Sequence, residues 1–225
     1  MTRQPPDLKS QARQFAGEMS ELLNGTVTNG IRLSTMMDGH GRAVIGYKVN
    51  TANPRGAAIP LTRSRSPAVL SLKVIHSLGL DDNNRFLTTI RSSYTLQAAD
   101  DGTPIATYDY VREPPNSYPE AHLHIDGAAE GLQWMLNSNG RAKDRPADLH
   151  LPVGGRRFRP SLEDLIEFCI LEDLVTPRVD WQAALEASRD RFHIQQLNAA
   201  VRRSPDQAAD VLQRNGWTVT APSSG

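Results

Sequence analysis

The stretch RFLTTIRSSYTLQAADDGTPIATYDYV, residues 85–111, decides the fold of this chain. Hydrophobic and hydroxyl side chains recur at every second position of its first half, which is typical of a β-strand. The members of this alternating set are Phe86, Thr88, Ile90, Ser92, Tyr94 and Leu96. Ala99 to Gly102 has the composition of a turn, and Ile105 to Val111 is extended again. The stretch therefore predicts two antiparallel strands joined by a turn.

The segments around this hairpin extend the same sheet. Val69 to Leu78 is a further apolar strand, and Ile31 to Val49, divided by the turn Asp38–Gly41, predicts a second hairpin. Asn53 to Pro67 contains three prolines and is predicted to be a solvated loop. The region from Gly30 to about Gly127 thus predicts a meander-like antiparallel sheet of roughly five or six strands.

Helical periodicity dominates both ends of the chain. Asp7 to Leu23 carries an apolar stripe and is followed by the stop signal Asn24-Gly25. Ser161 caps a helix ahead of an apolar run, Asp180 precedes a helix from Trp181 to about Arg203, and Ser204-Pro205 begins the last one. The predicted class is α+β, with helices packed on the sheet and a helical C-terminal extension. We divide the chain into an N-terminal helix (1–29), an α+β core domain (30–175) and a helical extension with a disordered tail (176–225).

Composition excludes several classes of protein. The 225 residues include 25 Lys and Arg and 25 Asp and Glu, so the formal net charge is +0. The chain therefore has no overall positive charge that would attract a nucleic acid, and any electrostatic binding must come from a local patch. The one cysteine, Cys169, lies in an apolar helical pattern and is predicted to be a core residue. A single cysteine excludes an internal disulfide framework. Because no secretory leader and no apolar run of about 18 residues is present, we expect a cytoplasmic protein without membrane insertion. Phosphate-loop, dinucleotide-binding, serine-hydrolase and zinc-protease motifs are absent from the sequence.

Chemistry-bearing residues concentrate in a predicted strand from Tyr118 to Asp126. Its period of two places Ala121, Leu123 and Ile125 on one face and Glu120, His122, His124 and Asp126 on the other. Asp148 to Val153 repeats the pattern and is predicted to return beside this strand, with His150 near His124 and with Arg156 and Arg157 directly after it. A short helix is predicted between them, over Ala128 to Leu136.

Three interpretations of this polar face stay open. The first is a transition-metal site, with Glu120, His122, His124 and Asp126 as ligands and the metal unspecified. The second is metal-free RNA cleavage by acid and base side chains, with cations stabilising the charge on phosphorus. The catalytic candidates are Tyr110, His122, His124, His150, Arg156 and Arg157. The third is a solvated, ion-paired surface without chemistry, so the sequence leaves open whether the protein is an enzyme.

Residues 91–174 resemble the small TumE-type toxins of type II toxin–antitoxin modules. The matching positions lie in the strand ATYDY, a His-x-His segment and the segment RFRPSLEDLIEF, which corresponds to a Phe-x-Ser-x-Glu-x-Leu-Ile helix of the toxins: Tyr108, Asp109, His122, His124, Phe158, Ser161, Leu165, Ile166 and Phe168. This chain departs from the toxins at Tyr110, where they have asparagine, and by an insertion from Gly127 to Asp148. The resemblance implies an intracellular, RNA-directed, toxin-like protein, with RNA and an antitoxin as its partners.

A second class of function remains beside this one. The C-terminal helices are rich in Ala, Gln and Arg and form a candidate surface for another protein. The alternative hypothesis is therefore a non-catalytic adaptor or assembly protein that binds its partner through the helical extension.

Overall fold

The computed structural model of the chain describes residues 7–62, 67–115, 118–126, 151–154 and 159–220. In these ranges the chain forms an antiparallel sheet with helices packed against it, followed by a helical C-terminal region. The α+β prediction is confirmed.

The described strands form one antiparallel sheet. Their bounds are β1 Leu33–Met37, β2 Ala43–Tyr47, β3 Ile59–Pro60, β4 Leu70–Leu80, β5 Leu87–Ala98, β6 Pro104–Val111, β7 Ala121–Ile125 and β8 Leu151–Pro152. The order across the sheet is β1-β2-β4-β5-β6-β7-β8, and β3 pairs with β4. Neighbours in the sheet are thus near neighbours in sequence, as the meander prediction requires.

The β5–β6 hairpin forms as residues 85–111 predict. Tyr94 pairs with Tyr108 across the two strands. In the connecting turn the Asp101 carboxylate accepts hydrogen bonds from the backbone nitrogen and the hydroxyl of Thr103 at 2.8 and 2.7 Å. Gly102 adopts φ +74°, which a residue with a side chain rarely adopts. Local turn chemistry therefore fixes the start of the register between these strands.

Part of the predicted loop from Asn53 to Pro67 is a strand. Ile59 is fully buried and pairs with Leu72, so β3 adds a short edge segment beside β4. Residues 63–66 of this segment lie outside the described ranges. The prediction of a solvated loop is wrong for Ile59, because a tertiary contact with β4 offsets the local preference of a proline-rich sequence.

Helix α1, Leu8–Thr26, runs past its predicted end at Leu23. An added Cβ at Gly25 would lie 2.7 Å from the Cβ of Ala184, so glycine permits a close approach of two helices at this point. The side chain of Asn24 donates to the carbonyl of Ile31 at 2.7 Å and accepts from its nitrogen at 2.8 Å. The Asn-Gly pair thus organises packing and the exit of the chain, and it does not end the helix.

The core lies between one face of the sheet and the helices. Helix α1 contributes Ala12, Ala16, Met19, Leu22 and Leu23 to the same core as the strands. Helix α2, Leu162–Leu171, begins with the predicted cap, in which Ser161 and Asp164 exchange backbone and side-chain hydrogen bonds. Cys169 is buried in this core, as predicted, and burial raises the pKa of its thiol to about 11.

The chain divides into two compact units, Met1–Leu185 and Glu186–Gly225. Helix α1, which we assigned to a separate N-terminal segment, belongs to the first unit. Helices α3, Trp181–Arg203, and α4, Pro205–Arg214, make up the described C-terminal region. Helix α4 begins after Ser204, as predicted, although the side chain of Ser204 makes no cap hydrogen bond. No helix in the described ranges is long and apolar enough to cross a membrane.

Candidate active site on the polar face of the sheet

The pairing of β6 with β7 shows which of their residues lie on each face of the sheet. Ala121 pairs with Tyr110, while His122 pairs with Asp109. Residues directly opposite each other in an antiparallel pair project to the same side. Because Ala121 and Tyr110 are almost fully buried toward the core, His122, His124 and Asp109 project to the opposite side, which we call the polar face. The predicted division of the histidine strand is therefore observed, within the shorter bounds Ala121–Ile125.

Three side chains meet on the polar face, and we call them the Asp–His cluster: Asp109, His122 and His124. One nitrogen of each imidazole and one carboxylate oxygen lie within 4.8 Å of one another. Nε2 of His124 is 3.7 Å from Oδ2 of Asp109. The two imidazole rings are 5.0 Å apart at their centroids and nearly perpendicular, at 83°. Two strands that are fixed by ladder hydrogen bonds thus hold three potential proton carriers or metal ligands together.

The imidazole of His122 has a defined tautomer. Its Nδ1 lies 2.9 Å from the carbonyl oxygen of Pro119. A carbonyl oxygen only accepts hydrogen bonds, so Nδ1 carries the proton and donates it. The lone pair of the neutral ring is then on Nε2. His122 is only 5% exposed, and this bond fixes its orientation within the site.

His124 and Asp109 are more accessible than His122. Their side chains are 20% and 29% exposed, respectively. A protonated His124 forms an ion pair with the Asp109 carboxylate at the observed 3.7 Å separation. The cluster therefore combines a fixed, buried imidazole with an accessible imidazole that has a carboxylate beside it.

Two predicted metal ligands lie outside the cluster. Oε1 of Glu120 accepts a hydrogen bond from the backbone nitrogen of Glu113 at 3.1 Å, across the end of the β6–β7 pair. Asp126 follows the last residue of β7, and its backbone nitrogen donates to the carbonyl of Ile105. Among the residues that the structure describes, Asp109 takes the position beside the histidines that we assigned to Glu120 and Asp126.

Tyr110 lies on the core face. Its side chain is buried, and the guanidinium carbon of Arg159 lies 4.1 Å from the centre of its ring. The sheet separates this phenol from His122 and His124. The structure thus does not bring Tyr110 together with the histidines, and its contact with Arg159 indicates a packing role.

The remaining predicted site residues, His150, Arg156 and Arg157, lie outside the described residues, as does the helix predicted over Ala128 to Leu136. The short strand β8 is described, and it pairs with β7, with His122 opposite Pro152 and Leu123 opposite Leu151. The predicted return of this segment beside the histidine strand is therefore observed.

Asp109 is the functional candidate that our site prediction missed. The alternation in ATYDYV already places it on the face opposite Tyr108 and Tyr110. Its partner across the sheet depends on the register between β6 and β7, which alternation alone does not give. A search for acidic residues at outward positions of neighbouring strands would have found it.

The polar face continues across the neighbouring strands. Thr107, which pairs with His124, donates from its hydroxyl to the hydroxyl of Thr95 at 3.2 Å. Thr95 pairs in turn with Lys73 on β4, and Arg91 stands two residues before Ser93, the partner of Asp109. The face therefore carries hydroxyl groups and two cations, with Arg91 on the second strand from β7 and Lys73 on the third.

Comparisons of the chain with protein-family models, with curated proteins and with solved structures find no match.

Proposed function

We propose that the protein is an RNA-directed, toxin-like ribonuclease and that the Asp–His cluster carries out the cleavage. The observation that carries this proposal is the fixed tautomer of His122 next to the His124–Asp109 pair. A neutral imidazole serves as a general base through the nitrogen that carries its lone pair, and an imidazolium beside a carboxylate serves as a general acid.

The cleavage step uses the two imidazoles on opposite sides of one phosphodiester. Nε2 of His122 removes the proton of a ribose 2′-hydroxyl, and the oxygen attacks the adjacent phosphorus. His124 donates its proton to the departing 5′-oxygen as the P–O bond breaks, which leaves a 2′,3′-cyclic phosphate and a 5′-hydroxyl. Asp109 is a positioning residue, because its carboxylate lies 3.7 Å from Nε2 of His124 and orients that imidazole.

Two cations and the hydroxyl groups of the polar face support this proposal. Lys73 and Arg91 supply positive charge on a chain whose formal net charge is +0. Phosphate contacts by such cations position a nucleic acid without reading its sequence. The hydroxyls of Thr95 and Thr107 lie between Lys73 and His124, because these residues pair with one another in turn across the strands.

The test is cleavage of a labelled single-stranded RNA by the purified protein in the presence of a chelator. We expect His122→Ala and His124→Ala to lower the rate by about 10²–10⁴-fold, the usual contribution of general acid–base catalysis. His40→Ala is the matched control, because His40 is an exposed turn residue away from the cluster. The same oligonucleotide with 2′-deoxyribose throughout should not be cut, and the RNA product should end in a cyclic phosphate. Cleavage of the deoxy substrate, or equal rates for the histidine variants and the control, contradicts the proposal.

One observation favours the alternative, a non-catalytic adaptor. Ile194, Leu197 and Val201 of α3 are 59%, 63% and 44% exposed and recur at helical spacing, so they form an apolar stripe. An exposed apolar stripe on a helix is typical of a surface that binds another protein. For an adaptor, Leu197→Glu should abolish binding to a purified partner while His124→Ala leaves it intact. Binding that survives Leu197→Glu counts against the adaptor.

A further inference from the structure

We infer that the Asp–His cluster is also a binding site for a divalent transition-metal ion of the zinc class, and that the bound ion switches off RNA cleavage. The metal site rests on geometry alone. Its inhibitory role rests in addition on the proposed ribonuclease function.

The three donor atoms have nearly the separation that a metal requires. Zinc ligands lie about 2.0–2.2 Å from the ion, which places neighbouring ligands about 3.3 Å apart. The donors of Asp109, His122 and His124 lie within 4.8 Å of one another without an ion. Rotations about side-chain bonds that bring each pair of donor atoms closer by about 1.5 Å or less would give the separation that the ion needs. The backbone need not move, because Asp109 and His122 pair directly across β6 and β7.

The hydrogen bond of His122 supplies an independent argument. Imidazoles that bind metals usually donate their second ring N–H to a carbonyl or a carboxylate, which orients the ring and directs the other nitrogen at the ion. His122 already donates from Nδ1 to the carbonyl of Pro119. Its buried ring is therefore held in a ligand's orientation before any ion arrives.

The donor types select the class of ion. Two neutral imidazoles and one carboxylate carry a net charge of −1, which attracts a divalent cation. Imidazole nitrogen suits zinc, copper, nickel and iron, whereas magnesium and calcium prefer sets made of oxygen atoms. The three ligands found among the described residues leave at least one position of a tetrahedral ion for water or a further donor.

Inhibition follows from the same contacts. A metal bound to Nε2 of His122 occupies the lone pair that takes the proton of the 2′-hydroxyl. A metal bound to His124 displaces the proton that the leaving oxygen needs. The metal-bound form therefore lacks both groups of the proposed cleavage step.

The experiment titrates tag-free, chelator-treated full-length protein with Co²⁺, followed by visible absorption, and with Zn²⁺, followed by calorimetry. We expect one ion per chain, and at least about tenfold weaker binding for Asp109→Asn and for His124→Ala. Asp82→Asn is the matched control, because Asp82 is an exposed turn residue. Circular dichroism of each variant confirms that it is folded.

The outcomes separate the two proposals. No binding to the wild-type protein, or binding that both cluster variants retain, overturns the metal site and leaves the ribonuclease proposal standing. Binding that depends on the cluster, with no cleavage by the metal-free protein, supports the metal site and overturns the ribonuclease. Where the metal-free protein cleaves RNA, addition of Zn²⁺ should abolish cleavage in proportion to occupancy, and faster cleavage overturns the inhibitory role.

Discussion

The two faces of the sheet place histidine in opposite chemical surroundings. On the core face, His76 of β4 packs against the ring of Phe15 at 5.3 Å, and its Nε2 lies 3.2 Å from the hydroxyl of Tyr94. Burial, with a smaller contribution from the positive charge of Arg159, lowers the pKa of His76 to about 3. On the polar face, His122 has an imidazole and a carboxylate as neighbours.

Exposure alone does not distinguish these histidines. His76 is 3% exposed and His122 is 5% exposed. Both rings have an aromatic neighbour, but only His122 also has a second imidazole and a carboxylate beside it. In the part of the chain that the structure describes, Nδ1 of His76 has no hydrogen-bond partner, whereas Nδ1 of His122 donates to Pro119. We therefore assign His76 to stability and His122 to chemistry, and this contrast can be tested.

The largest expected effect on stability is that of His76→Ala. Removing a buried aromatic-sized side chain leaves a cavity beside Phe15 and Tyr94, and we expect a loss of about 3 kcal/mol in the free energy of unfolding. Urea denaturation followed by tryptophan fluorescence measures it. We expect a smaller loss for His124→Ala, because its side chain is 20% exposed and lies outside the core, and an equal loss would remove the contrast between the faces.

The next effect is a dependence of stability on pH. The unfolded chain protonates His76 near its ordinary pKa of 6.5, while the folded protein keeps it neutral down to about pH 3. The unfolded state then binds more protons, so stability falls with acidification across this window. Between pH 7.5 and pH 5 we expect His76 to contribute a loss of about 2 kcal/mol.

Paired urea titrations of wild type and His76→Gln check this pH effect, because the variant lacks the titrating group. The wild-type curve should fall more steeply than that of the variant, whereas His40→Gln should follow wild type. Parallel curves for wild type and His76→Gln would show that His76 is not protonated preferentially in the unfolded chain.

The smallest expected effect on the free energy of unfolding is that of Tyr94→Phe, in the core beside His76. Tyr94→Phe removes the hydroxyl that meets Nε2 of His76 and leaves that buried nitrogen without a partner. We expect a loss of about 1 kcal/mol in unfolding free energy, the usual value for one buried hydrogen bond. A melting temperature equal to that of wild type would mean that the aromatic packing, and not this bond, holds His76.

The sequence predicts the parts of the fold that local chemistry decides. The β5–β6 hairpin follows from its alternation and from the Asp101-Gly102 turn, and the Ser161–Asp164 cap follows from its spacing. The Asn24-Gly25 pair predicts a helix end, whereas in the structure α1 continues and Gly25 leaves room for Ala184, a neighbour that is distant in sequence. For the same reason Ile59 was assigned to a loop, since only its pairing with Leu72 makes it a strand residue.

The candidate site shows the same limit. Alternation places His122 and His124 together and, applied to ATYDYV, also separates Asp109 from Tyr110. Asp109 stands opposite His122 because of the register between β6 and β7. The sequence between Val111 and Ala121 contains no two-residue turn signal that would fix this register. The identity of the carboxylate beside the histidines therefore needed the three-dimensional structure.

The central claim is that a carboxylate on β6 and two imidazoles on β7 form one working site. The most direct test is the single-turnover rate of RNA cleavage for Asp109→Asn beside Asp82→Asn, with the melting temperature of each. We predict that Asp109→Asn lowers the rate by about 10²-fold or more at an unchanged melting temperature, because His124 loses the carboxylate that orients it. Equal rates for the two variants would contradict the claim.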